Sequence, residues 1–195
     1  MKKIILSLGF IFVSLSAIAS AGDLYAYGSL GSGNYSGGKS SIDSALVSAG
    51  VTGLSSTMTD SSTAFKAGVG YQFVPNIAAE VSYANLGTLN YTATASGGRY
   101  LTADIKTSGT NYAVIASSDI SESLSLFAKL GYTSASSDVK MIGSGGVGGF
   151  SSDNSGNMYG VGATYKSSQK LGLRAEWEKM YDDYSVISAG VQLGF

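Results

Sequence analysis

The chain alternates with a period of two along most of its length, and one face of that alternation is too small for an ordinary sheet. Phe65, Ala67, Val69, Tyr71 and Phe73 alternate with Lys66, Gly68, Gly70 and Gln72. Ile77, Ala79, Val81 and Tyr83 alternate with Ala78, Glu80 and Ser82. The same rhythm returns at residues 126–133, 158–165, 171–178 and 187–195, and more weakly at 24–31 and about 105–117. Residues two apart share a face of a strand, so these segments predict eight strands, each with one apolar face. The other face is Gly, Ser, Thr and charged residues. A soluble sandwich turns its polar face to water, where bulk is unrestricted. The inside of a narrow barrel admits only small groups, and the 27 glycines are used there. A closed barrel is also the β structure that leaves no backbone group unpaired in lipid. The predicted fold class is all-β: an eight-stranded antiparallel up-and-down transmembrane β-barrel.

The outward aromatics fall in two bands, as interfacial girdles do. Phe73, Tyr165 and Phe195 lie near short connections; Tyr83, Tyr132, Tyr159 and Trp177 lie toward the other end. Residues 74–76, 119–122 and 167–170 read as tight turns, whereas 32–62, 88–104 and 134–157 read as long polar loops and the stretch near 181–183 as a short one. Short turns face the periplasm in outer-membrane barrels, which places both termini there. Within the first loop, Ser41, Ile42, Ala45, Leu46 and Gly50 predict a short helix capped by Ser41. Residues 1–21 read as a cleaved signal peptide, with Lys2 and Lys3 before an apolar run that ends in Ala19-Ser20-Ala21. Residues 22–195 then form the barrel domain. No later stretch reaches the ~20 apolar residues of a membrane helix.

Composition narrows the function. There is no Cys and no His, which removes thiolate chemistry, the commonest general base and the commonest transition-metal ligand. A net charge of −1 offers no basic footprint for nucleic acid. Glu176 and Glu178 share a face as glycosidase carboxylates would, but a lumen this narrow admits no sugar, so ion pairing is the better reading. Gly143, Gly145 and Gly148 spell a dinucleotide motif without its strand-to-helix setting. Asp182-Asp183 reads as a solvated hairpin tip. No metal, cofactor or enzymatic activity is expected.

Four stretches in order carry a resemblance: residues 70–80, 124–131, 173–178 and 185–195. Together they resemble the transmembrane domain of the outer-membrane protein A family over nearly the whole chain after residue 21. The long form of that family adds a peptidoglycan-binding domain, and the barrel alone is expected here. The resemblance implies that Ser188, Gly190, Leu193 and Phe195 form a C-terminal signal read by the barrel assembly machinery. It also implies an interior salt bridge between Glu80 and Arg174, with Lys129 and Glu176 as neighbouring charges. The alternation supports this independently, since Lys66, Lys129 and Arg174 stand on the small-residue face with Glu80, Glu176 and Glu178. Charges withdrawn from water must be paired. The family's gating lysine falls at Ile115 and an acidic position at Thr164, so the switching pair is incomplete. The expected role is structural and surface-interacting, through loops held by the barrel. A narrow, low-conductance pore is the alternative. The expected partners are outer-membrane lipid, lipopolysaccharide and, during biogenesis, the assembly machinery.

Overall fold

The computed structural model describes residues 23–181 and 184–195. The segment expected to be a signal peptide and the Asp182-Asp183 tip lie outside them. Among the described residues, nine strands and one helix follow in order: β1 (Asp23–Tyr35), α1 (Gly38–Ser48), β2 (Ser55–Met58), β3 (Ser61–Val74), β4 (Ile77–Ala95), β5 (Arg99–Asp119), β6 (Leu124–Gly143), β7 (Gly146–Lys166), β8 (Leu171–Met180) and β9 (Tyr184–Gly194). All pairings are antiparallel, and eight strands close a ring: β1 pairs with both β3 and β9, and β4 pairs with β5. The remaining strand, β2, is a short flap on β4 beyond the ring, where Ser55 stands opposite Thr94.

Burial follows the alternation. On β8, Gly172, Arg174, Glu176, Glu178 and Met180 are buried, while Leu171, Leu173, Ala175 and Trp177 are exposed on the outer surface. Phe73, Tyr83, Tyr132, Tyr159, Tyr165, Trp177, Leu193 and Phe195 all stand on the outer surface. Tyr159 and Trp177 stack edge-on, with centroids 5.9 Å apart. Tyr112 joins them, lying opposite Tyr132 across the β5–β6 ladder.

The long segments expected to be loops are mostly strand. β5 and β7 each run 21 residues and β6 runs 20, whereas about 9–11 suffice to cross a bilayer. The excess projects from one end as two tall hairpins, closed by residues 96–98 and by Ser144-Gly145. A bulge hides the continuation on β4. The β4–β5 register shifts between Asn85 and Thr88, and Gly87 sits at φ 81°, a left-handed conformation that suits glycine. Before the bulge, even residues of β4 face inward; beyond it, Leu89, Tyr91 and Ala93 do. The phase change is what makes residues 88–104 read as irregular.

The helix is present, but its cap is Gly37 in a left-handed conformation, not Ser41. Ser40 and Ser41 instead donate their hydroxyls to the Gly37 carbonyl, at 2.9 and 3.2 Å. At the other end the Val51 amide donates to Leu46 and the Gly50 amide to Val47, the paired bonds of a glycine-terminated helix. Helix α1 leans on the projecting sheet, where Ile42, Leu46, Leu54 and Met58 pack beside Tyr91, Ala93 and Ala103.

Asp43 fastens the helix. Its carboxylate accepts from Lys39 Nζ at 2.7 Å, Ser56 Oγ at 2.6 Å and Tyr91 Oη at 2.6 Å. Those three donors, Lys39 first, pull its pKa from the ordinary 3.8 to about 2. A depressed carboxylate contributes stability that is complete above its unfolded pKa and is lost as pH falls through the folded one. Docking of α1 is therefore expected to hold at pH 5 and to loosen between pH 3.8 and about 2. Hydrogen exchange of residues 38–48 across that window checks it; exchange that does not change with pH below 4, after correction for intrinsic rates, would show that Asp43 is no anchor.

Candidate functional site

The lumen is filled in layers. At the short-turn end, Tyr25, Tyr27, Ala78, Ile115 and Phe127 form one buried cluster. Glycine makes room for the rings: a Cβ on Gly70 would lie 2.2 Å from Tyr25, and one on Gly162 would lie 2.3 Å from Phe127. The small-residue face is thus small partly because aromatic side chains lie across it.

Above that cluster, six charged side chains from four strands meet, all of them buried: Lys66 (β3), Glu80 (β4), Lys129 (β6) and Arg174, Glu176 and Glu178 (β8). Arg174 reaches Glu80 across the lumen with two contacts, Nη1 to Oε1 at 2.5 Å and Nη2 to Oε2 at 3.1 Å, a fork-to-fork geometry that suits a guanidinium. It also donates from Nη2 to Glu176 at 3.0 Å. Lys129 Nζ lies 2.6 Å from Glu178 Oε1, 2.7 Å from Glu176 Oε2 and 4.0 Å from Glu80 Oε2. Lys66 pairs with both Glu176 and Glu178. Three cations meet three carboxylates, so the cluster is neutral as a whole and every member has at least two opposite partners. That is the condition under which buried ions are tolerated.

Three aromatic side chains stand outside the charged set. Tyr25 donates its hydroxyl to Glu80 Oε1 at 2.7 Å. The Arg174 guanidinium carbon lies 4.4 Å from the Tyr27 ring centroid and 4.5 Å from that of Phe127, so the cation sits between two aromatic faces. The sequence carried a signal for all three: Tyr25, Tyr27 and Phe127 have the inward parity of Ser29 and Lys129. Ile115 lies buried beside the same aromatics and Thr164 is half-buried, so neither supplies a charge to the cluster.

A third layer, toward the hairpins, is apolar. Leu86, Leu89, Met158, Met180, Tyr184 and Val186 close the lumen with Ala64, Ala84 and Ala113. Tyr184 Oη donates to the Leu86 carbonyl at 2.7 Å, which fixes the ring across the opening. On the opposite side the lumen opens into a vestibule of about 840 Å³ at the short turns, lined among others by Asp23, Gln72, Asp119, Lys166, Gln192 and Arg174. Ser188 and Gly190 lie at the seam of β9 with β1, and Ser188 Oγ donates to Glu176 at 3.5 Å. Leu193 is exposed on the same strand, as is Phe195 just beyond its end.

Residues 19–187 match the family described as OmpA-like transmembrane domain. No curated protein matches the sequence. Among solved structures, Ail, the attachment invasion locus protein of Yersinia pestis, superposes with a TM-score of 0.54 at 14% identity, over 90% of this chain and 99% of that one. OprG of Pseudomonas aeruginosa gives 0.53 at 14% identity, over 90% and 96%. The N-terminal β-barrel domain of Pseudomonas aeruginosa OprF gives 0.51 at 12% identity, over 88% and 97%. At such identities the likeness is one of fold.

Proposed function

Because this chain belongs to the OmpA-like transmembrane domain family, and is an integral outer-membrane β-barrel, we propose that it is a sealed anchor presenting a projecting sheet at the cell surface. The observation that carries this reading is the filled lumen: a neutral charge cluster with an apolar layer stacked on it. A single charged plug could be withdrawn, but an apolar constriction excludes ions by dewetting even when the charges beside it change. The asymmetry of the ends supports the orientation. Short turns belong to the periplasmic side, so both termini lie there and the tall hairpins face outward. Lipid and lipopolysaccharide surround the outer face. The assembly machinery reads β9 together with Phe195, which continues its lipid-facing row. The protein has no catalytic role, in keeping with a sequence that contains no histidine.

Conductance in planar bilayers tests the seal against the pore reading. The refolded protein is expected to show no channel steps, and Arg174→Ala is expected to remain closed because the apolar layer is intact. Adding Leu86→Ser and Met180→Ser to Arg174→Ala should open a path. Steady conductance from the wild type, or from Arg174→Ala alone, would make the protein a pore.

A further inference from the structure

The projecting sheet has one covered edge and one open edge. On the covered side β2 pairs with β4, and α1 packs beside them. On the other side β8 stops at Met180, opposite Met158. Among the described residues, no strand pairs with the outer edge of β7 from 146 to 155. All ten residues there are exposed on both faces. The Asn157 carbonyl accepts from the Tyr181 amide, so it points away from β6. The β6–β7 register runs without a shift, so Val147, Gly149, Ser151, Asp153 and Ser155 point their N–H and C=O groups the same way. Natural edges are blunted with lysine, proline or a bulge. The segment Gly-Val-Gly-Gly-Phe-Ser-Ser-Asp-Asn-Ser has none of these and one charge, Asp153.

We infer that this edge pairs with the same edge of a second copy of this chain held in an opposing membrane. The inference rests on the surface reading above. Self-pairing meets no like-charge contact: a two-fold centred on Phe150 sets Asp153 against Val147 and Ser151 against Gly149. It also continues a cross-strand apolar row. Leu89, Ile105, Val139 and Phe150 lie opposite one another in turn, and the row ends at the open edge, where Phe150 is 56% exposed. The second copy's Phe150 falls on the same face beside it.

Symmetry decides which membrane the mate occupies. In one membrane every copy's β7 runs from hairpin tip to barrel, so neighbours run parallel. A two-fold along the membrane normal then sets each residue against itself, N–H facing N–H, whereas a parallel ladder needs outward-pointing residues against inward-pointing ones. A two-fold perpendicular to the strands makes the pair antiparallel and sets odd residues against odd, as that ladder requires. It also places the two barrels on opposite sides. The contact therefore tethers two membranes.

The test uses the full chain refolded in phosphatidylcholine vesicles, in two fluorescent populations, at ~0.15 M salt to screen general charge effects. Wild-type vesicles should tether one another. Ser151→Pro with Ser155→Pro removes two open-edge donors without touching the β6 ladder, and should reduce tethering to the level of protein-free vesicles. Val147→Lys with Asp153→Lys should fail against itself, because each lysine then faces another across the two-fold, as should Val147→Glu facing the retained Asp153, but the two populations mixed should tether again. Heat-modifiable gel mobility confirms that each variant is folded. No wild-type tethering, tethering indifferent to the proline or charge variants, failure of the mixed population to recover, or dimers formed only within one vesicle would each overturn the inference. Labelling of a Ser151→Cys variant on intact cells with an impermeant maleimide separates the two readings. If it is labelled and vesicles do not tether, only self-pairing falls; if it is not labelled, the surface reading falls as well.

Discussion

Replacing Arg174 by Ala is expected to destabilise the barrel by about 3 kcal/mol, the lower part of the range for removing one member of a buried ion pair. The substitution leaves two cations against three carboxylates. Glu80 loses both guanidinium contacts and keeps Tyr25 Oη and a distant Lys129 at 4.0 Å. It also removes the cation held between Tyr27 and Phe127. The loss stays at the low end because Arg174 borders the vestibule, so water can follow the side chain out and solvate the stranded carboxylate. Urea titration in detergent micelles, followed by unboiled gel mobility, gives the value. A double-mutant cycle with Glu80→Gln should return a coupling above about 1 kcal/mol, as contacting members of one network do. A coupling near zero would mean that the bidentate contact contributes nothing to stability.

The layered lumen shows how far a sequence of this kind can be read. The transmembrane ladder was legible because lipid outside and a narrow lumen inside impose opposite demands on alternate residues of every strand. The charged set was legible for the same reason, since Lys66, Glu80, Lys129, Arg174, Glu176 and Glu178 interrupt an otherwise small-residue face. Beyond the membrane that contrast fades, because both faces of the hairpins can meet water. Residues 134–157 carry Ser, Gly and Asn on both parities, and they form strand only because each hairpin half supplies the other's backbone partners. The bulge at Gly87 shifts the phase of β4 and hides the row Leu89, Tyr91, Ala93. Gly37 as the helix cap was not legible, because a left-handed glycine cap depends on how the chain arrives from β1 and leaves no side-chain signature. The interior aromatics belong to a different case. Tyr and Phe look like girdle residues in any barrel sequence, and only parity, read strand by strand, sends Tyr25, Tyr27 and Phe127 inward.

Glu178→Ala is expected to have the larger effect, about 5 kcal/mol, at the top of the same range. Glu178 has no exposed surface, and it holds both lysines, Lys66 through Oε2 and Lys129 through Oε1 at 2.6 Å. Without it, three cations face two carboxylates, and Glu176 must serve Lys66, Lys129 and Arg174 together. The position differs from Arg174 in what surrounds it. The vestibule lies at the far side of the cluster, while Glu178 adjoins the apolar layer of Met180, Leu86 and Val186, with only about 10 Å³ of free space beside it. That is about the minimum for a single water, so bulk solvent has no open path to the charges that the missing carboxylate leaves behind. Exchanging the pair for apolar residues of similar length, Lys66→Met with Glu178→Leu, restores two cations against two carboxylates. That double variant should be close to wild type or more stable, as replaced buried pairs often are. Unfolding midpoints of the two variants in the same micelles decide the matter. If Glu178→Ala unfolds within about 0.5 kcal/mol of wild type, a loss typical of an ordinary surface site, then Lys66 and Lys129 are solvated from elsewhere and the cluster is not sealed from water.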